Sequence, residues 1–157
     1  MTDETLTTET LDVGPSATVP DHPIQIPGFE IHRELGRGGM ARVYLAEQTK
    51  LGRLVALKIV TADLARDVQF RQRFLQESRI NAGLVHPNVV QLYDADAHES
   101  VLYLVMEYVR GGDLNDRLAR GMRMHELVRV VRDIGNALDY AHSVGLIHRD
   151  IKPENIL

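Results

Sequence analysis

The chain contains no cysteine, which excludes disulfides and thiolate metal sites. It also lacks any long apolar run. The longest candidate, Val101 to Met106, covers six residues, far short of the roughly 18 needed to span a bilayer, and it reads as a buried strand. No basic region followed by an apolar stretch opens the N-terminus, so a signal peptide is not expected. Positive charge is missing from the first 32 residues, which hold six acids (Asp3, Glu4, Glu9, Asp12, Asp21, Glu30) and no Lys or Arg. The other 18 basic and 16 acidic residues leave the remainder at +2, against -4 for the whole chain. A nearly neutral body with an acidic tail makes no electrostatic case for binding nucleic acid. These absences favour a cytoplasmic protein with no membrane segment in this chain.

What is present is ordinary for a soluble domain. The 157 residues are 44% hydrophobic and 25% charged, enough for one real core. Residues 1–27 are rich in Thr, Asp, Glu and Pro and poor in large apolar groups. Such a segment cannot bury enough surface to offset its ordering entropy, so a disordered tail is expected. Its threonines (Thr2, Thr5, Thr7, Thr8, Thr10) are either phosphorylation sites or, more simply, part of a solvated tail.

Structure is expected from Phe29. Ile31 to Leu35 and Arg42 to Glu47 read as strands around a glycine turn, and Arg53 to Val60 reads as a third. Helical spacing follows over Asp67 to Leu84 and stops at His86-Pro87-Asn88. Val89 to Tyr93 and Val101 to Tyr108 read as two more strands, joined by a polar turn at Ala97 to Ser100. Gly111-Gly112 then breaks the pattern, and Asp113 is placed to cap a short helix through Arg117. A longer helix, Met124 to Val144, carries Leu127, Val130, Val131, Ile134, Ala137, Leu138 and Ala141 at a 3.6-residue period. Gly145 is a natural stop.

Four places carry candidate chemistry. The turn Gly36-Arg37-Gly38-Gly39 would let backbone N–H groups approach phosphates, although a hairpin turn without a ligand reads the same. Lys58 sits in the apolar strand Val55-Ala56-Leu57-Lys58. It either meets a partner or ligand, because a buried ammonium is costly, or lies on the solvent face. Glu77 could pair with Lys58 or with Arg73 four residues earlier. The run His148 to Asn155 gathers an acid, a lysine and an amide on a short loop. Asp150 could accept or orient a hydroxyl proton, Lys152 could neutralise phosphate charge, and Asn155 could ligate a divalent ion.

Taken in order and spacing, the glycine loop, Val-Ala-Leu-Lys, the helix glutamate and His-Arg-Asp-x-Lys-x-x-Asn resemble the protein kinase signature set. The resemblance runs from about Phe29 to Leu157 and is most similar to the bacterial serine/threonine kinases. Lysine at position 152 points to serine/threonine rather than tyrosine specificity. The resemblance implies an α+β, protein-kinase-like fold. A five-stranded antiparallel sheet with one helix (28–109, the N-lobe) would precede a truncated helical C-lobe (110–157).

It also implies ATP and Mg²⁺ as cofactors and an unidentified protein substrate. Gly36, Arg37, Gly38 and Gly39 would cover the phosphates, and Lys58 would hold them while paired with Glu77. Val43 and Ala56 would roof the adenine, Leu157 would floor it, and Met106 would be the gatekeeper. The backbone of Glu107 and Val109 would bond the adenine edge, and Asp113 would lie near the ribose. Asp150, Lys152 and Asn155 would be catalytic, with Asn155 also a Mg²⁺ ligand. Arg149 would dock a phosphorylated activation loop.

Three departures stand out. Ala41 replaces the third loop glycine, and Asn81 takes a usually apolar place one turn after Glu77. No Asp-Phe-Gly, activation segment or Ala-Pro-Glu follows before Leu157. The second Mg²⁺ ligand is therefore missing, and the apolar stripe of 124–144 is expected to be an exposed face suited to docking a partner. Two functions remain in view: transfer of phosphate from ATP to protein Ser/Thr hydroxyls, or a non-catalytic nucleotide- or partner-binding module.

Overall fold

The computed structural model describes residues 25–60, 62–99 and 101–157. The Thr-rich segment up to residue 24, with the five threonines named above, lies outside them. Strands β1 (Phe29–Arg37), β2 (Ala41–Gln48), β3 (Arg53–Val60), β4 (Leu92–His98) and β5 (Val101–Glu107) form one sheet. Its order is β1-β2-β3-β5-β4, and every pairing is antiparallel. Helices α1 (Ala62–Ala65) and α2 (Val68–Ala82) sit between β3 and β4. Helices α3 (Leu114–Ala119) and α4 (Met124–Ser143) follow the sheet, and a 3₁₀ turn covers Pro153–Asn155. The expected α+β arrangement is met.

Strand periodicity divides the apolar residues between the two faces. On one face Val55, Leu57 and Ile59 of β3 pack with Ala46, Tyr103 and Val105. Ile26 closes this cluster and is buried itself, so packing starts three residues ahead of Phe29. Phe29 meets Tyr103 edge to face at 5.9 Å, a geometry worth about 0.5–1.5 kcal/mol beyond area burial. On the other face Val60 and Leu102 meet Leu64, Phe70 and Phe74, so α2 covers one end of the sheet. Asp67 starts α2 as its N-cap, accepting from the N–H groups of Gln69 (2.8 Å) and Phe70 (3.1 Å). Such a cap stabilises by about 1 kcal/mol.

Among the boundaries that differ from expectation, two have a visible cause. The strand expected over Val89 to Tyr93 lies at Leu92–His98 instead. Val89 N–H closes a turn onto the His86 carbonyl at 3.0 Å, and the Gln91 side chain donates to the Ala82 carbonyl at 3.3 Å. Residues 86–91 are thereby held as a connection, and the strand begins after them. Asp94 and Asp96 weaken its sequence signal, because aspartate is depleted in strands. Helix α2 stops at Ala82 rather than Leu84, because the Gly83 N–H turns back onto Ile80 at 3.1 Å.

Gly111 and Gly112 link the sheet to the helical part with φ of 124° and 88°, values that L side chains rarely adopt. Asp113 caps α3 as expected, accepting from Asp116 N–H at 2.8 Å. Arg117 then reaches Glu126 of α4 at 3.0 Å. Helix α4 ends in a Schellman turn. Leu146 N–H donates to the Ala141 carbonyl at 2.9 Å and Gly145 N–H to the His142 carbonyl at 2.9 Å, with Gly145 at φ 80°. The stripe of α4 is exposed only in part. Val131 is 61% exposed, Ala141 is buried, and Leu127, Val130, Ile134, Ala137 and Leu138 are half-buried. Met124 and Val128 add exposed apolar surface beside Val131.

Leu57 is fully buried at the sheet centre. Leu57→Ala should cost about 2–5 kcal/mol, read as a lower urea midpoint at unchanged slope. A slope change would mean that the sheet itself had reorganised. The Glu126 carboxyl is held down to about 2 from its ordinary 4.5. The Arg123 backbone N–H is the main cause, joined by the Arg123 and Arg117 side chains and opposed by burial. A depressed carboxyl favours folding above its unfolded value, and the gain is lost as pH falls towards the folded one. The urea midpoint should therefore drop between pH 4.5 and about 2 more steeply in the native protein than in Glu126→Gln; parallel curves would refute this.

Candidate active site

The site begins on the same face of the sheet that α2 packs against, beyond the end that α2 covers. Val43 pairs with Lys58, Lys58 with Leu104, and Ala56 with Met106. Residues directly opposite one another in an antiparallel pair project to the same face. Val43, Ala56, Lys58 and Met106 therefore line one surface. Ala56 is buried, Val43 and Met106 are half-buried, and Lys58 is exposed.

The Lys58 side chain makes no ion pair or hydrogen bond among the described residues. The expected pair with Glu77 is thus not formed here, and Glu77 is itself exposed. Nor does Glu77 take Arg73, whose Nε donates weakly to the Gln69 carbonyl at 3.4 Å.

At the end of β1 and β2 the glycine turn is open. A side chain at Gly36 or Gly39 would meet nothing within 4 Å, and one at Gly38 would meet only the Ala41 carbonyl at 3.7 Å. Gly38 N–H itself donates to that carbonyl at 2.8 Å. Arg37 is turned to Glu34, donating from Nε at 3.0 Å and from an Nη at 3.2 Å. Only its backbone, not its guanidinium, remains for the surface that Lys58 shares.

At the other margin, Glu107 N–H is taken by the Gln91 carbonyl at 2.8 Å. Val109 N–H has no acceptor among the described residues. Asp113 spends its carboxylate on capping α3. Leu157 lies at the chain end, 59% exposed.

The third part is the loop after α4. Asn155 donates its amide to the Asp150 carbonyl (2.8 Å) and to Asp150 Oδ2 (2.9 Å). Lys152 Nζ lies 3.2 Å from the same Oδ2. Asp150 N–H is received by His148 Nδ1 at 3.3 Å. Arg149, between them, adopts φ 61°, a left-handed conformation uncommon outside glycine and often stored at functional turns. The 3₁₀ turn at Pro153–Asn155 brings Asn155 back over Asp150. All three loop residues singled out from the sequence are thus brought together. The Asp150 carboxyl is lowered below its ordinary value, first by the Lys152 hydrogen bond and then by Asn155, against the opposing effect of burial.

Two contacts hold this part of the chain in place. Leu114 N–H, at the start of α3, donates to the Ile156 carbonyl at 2.7 Å. Tyr140 of α4 receives Val85 N–H at 3.2 Å, and its ring stacks on His86 at 5.3 Å. Tyr140 escaped the sequence reading, because its helical position off the apolar stripe gave no sign of a distant partner.

A nucleotide suits this surface: the Lys58 ammonium, the open glycine turn and the Val109 N–H stand beside an apolar floor of Val43, Ala56 and Met106. Asn155 offers one amide oxygen, while no group of three or more His, Cys, Asp or Glu among the described residues is placed to hold a metal. Mg²⁺ demands near-octahedral oxygen coordination.

A family model described as the protein kinase domain matches residues 29–157. The chain belongs to the protein kinase family. It is 47% identical over 131 residues to the serine/threonine-protein kinase PknJ of Mycobacterium tuberculosis, covering 83% of this chain and 22% of PknJ. It is 42% identical over 131 residues to the serine/threonine-protein kinase PrkC of Bacillus subtilis, covering 82% of this chain and 20% of PrkC. The chain therefore spans about a fifth of the length of these curated relatives. The crystal structure of the M. tuberculosis PknI kinase domain superposes with a TM-score of 0.71 at 34% identity, over 84% of this chain and 55% of that one. The kinase fold expected from the motifs is thus met, with the sheet as an N-lobe and α3, α4 and the following loop as part of a C-lobe. No helix among the described residues is long and apolar enough to cross a membrane.

The loop chemistry can be checked directly in this kinase chain. Lys152→Met removes the donor that contributes most to lowering the Asp150 carboxyl, so the Asp150 titration should move up in pH. Carbon-detected NMR of the carboxyl reads this shift. An unmoved titration would show that Lys152 and Asp150 are not paired in solution.

Proposed function

We propose that this chain is the ATP-binding and catalytic-loop portion of a protein serine/threonine kinase, which transfers the ATP γ-phosphate to Ser/Thr hydroxyls of a protein. The observation that carries the reading is the convergence of Asp150, Lys152 and Asn155 within 2.9 and 3.2 Å.

On this reading the turn of Gly36, Gly38 and Gly39 covers the phosphates and lets the backbone N–H groups it has not already spent approach them. Lys58 neutralises the α- and β-phosphates, its partner Glu77 closing on it when nucleotide draws α2 inward. Val43, Ala56 and Leu157 enclose the adenine beneath the Met106 gatekeeper. The backbone of Glu107 and Val109 bonds the adenine edge, and Asp113 stands near the ribose. Asp150, kept ionised by its neighbours, accepts a hydrogen bond from the substrate hydroxyl and aims its oxygen at the phosphorus. Lys152 balances the charge that develops on the transferred group. Asn155 steadies Asp150 through its amide nitrogen and offers its oxygen towards Mg²⁺.

A second reading, nucleotide binding without transfer, draws on the exposed, unformed Lys58–Glu77 pair. Calorimetry with ATP and phosphate incorporation into a Ser/Thr-containing protein separate the two. Lys58→Met should weaken ATP binding at least tenfold, and unchanged affinity would remove Lys58 from the site. Incorporation that is lost in Asp150→Asn would support transfer. Binding with no incorporation by this 157-residue chain would support the second reading for this molecule.

A further inference from the structure

The two strands that carry the glycine turn are joined by a small ionic cluster on the side away from Lys58. Glu34 of β1 receives Nε and an Nη of Arg37 at 3.0 and 3.2 Å. Arg42 of β2 places an Nη 3.8 Å from the other end of the contact, Glu34 Oε2.

Residues three apart in a regular strand point to opposite faces. Glu34 and Arg37 share a face because the register with β2 shifts between Glu34 and Gly36, and such a bulge resets the alternation. The same shift pairs Gly36 with Val43 on the Lys58 face and Arg37 with Arg42 on the opposite one.

Arg42 is the better buried arginine, its side chain 20% exposed. Its Nε is buried without a hydrogen-bond partner among the described residues, and Glu34 supplies a nearby negative charge to its guanidinium. Glu34 in turn is held below the ordinary carboxyl value, chiefly by the Arg37 hydrogen bond, and stays ionised through the neutral range.

We propose that Glu34 is a positioning residue for the nucleotide: by gripping Arg37 and Arg42 together it fixes the glycine turn in the geometry that receives phosphate. The inference rests on the nucleotide reading above. Glu34 touches no ligand; it acts through the backbone of residues 36–39, which the Arg37 and Arg42 side chains bracket. Freeing that turn imposes an ordering cost on every ligand that bears phosphates and none on a ligand that lacks them. A surface cluster of this kind contributes modestly, so the expected loss of ATP affinity on Glu34→Ala is roughly three- to tenfold.

The test compares ATP with adenosine by calorimetry on the whole chain, native and Glu34→Ala, with melting temperature recorded for each. The expected result is weaker ATP binding, adenosine binding within about twofold, partial recovery in Glu34→Asp, and a smaller difference at about 1 M salt, where exposed pairs are screened. Equal ATP affinity in the two proteins would overturn the role of Glu34 while leaving the nucleotide site standing. Equal losses for ATP and adenosine would also overturn it, because they signal a general structural effect. If the native chain binds neither ligand, the nucleotide reading itself fails and this inference falls with it.

Discussion

A slip of one residue by β3 between β2 and β5 would turn Leu57 out to solvent and drive the Lys58 ammonium into the core. Strand side chains alternate with a period of two, so register decides which face each residue serves. Val55, Leu57 and Ile59 are buried together on one side, and burying large apolar side chains stabilises by roughly 1.5–3 kcal/mol each. An unpaired buried ammonium costs far more than a surface one. The two effects favour the same register, and that register alone aligns Lys58 with Val43, Ala56 and Met106. The hydrophobic core therefore selects the chemistry-bearing face of the sheet.

The catalytic loop depends on that sheet through short connections rather than a broad interface. Gly111 and Gly112 permit the abrupt exit from β5. A side chain at Gly112 would approach Asp116 Oδ2 to 2.9 Å, which would disturb the α3 start that Asp113 caps. From there the Leu114–Ile156 bond holds the end of the loop beside the hinge, and Tyr140 holds the connection after α2 against α4. Asp150 is thus placed by backbone hydrogen bonds near the hinge and oriented by Lys152 and Asn155.

Much of this could be read in the sequence where the signal was local. The β3 span matched because its apolar run and flanking turns are unambiguous. Asp113 was legible as a cap, Gly145 as a stop, and Asp150, Lys152 and Asn155 as one cluster, because six residues of loop cannot separate them far. Other features depend on distant partners and left little trace. Strand β4 carries two aspartates and is held in the sheet by β5, so propensity pointed away from it. The grouping of Glu34, Arg37 and Arg42 follows from a bulge that alternation alone does not reveal. The pairing of Lys58 with Glu77 came from the family pattern. In the structure both side chains stand exposed, since nothing compels two solvated charges to meet.

The central claim is that the β3 register presents Lys58 to a nucleotide. The chain has three lysines, Lys50, Lys58 and Lys152, which permits a direct measurement with an acyl-phosphate derivative of ATP that transfers its acyl group to nearby amines. Mass spectrometry of the digested protein should find Lys58 acylated, with Lys152 alongside it. Excess ATP should suppress both while leaving Lys50, in the distant β2–β3 turn, unchanged. Labelling of Lys58 that is as indifferent to ATP as that of Lys50 would contradict the account.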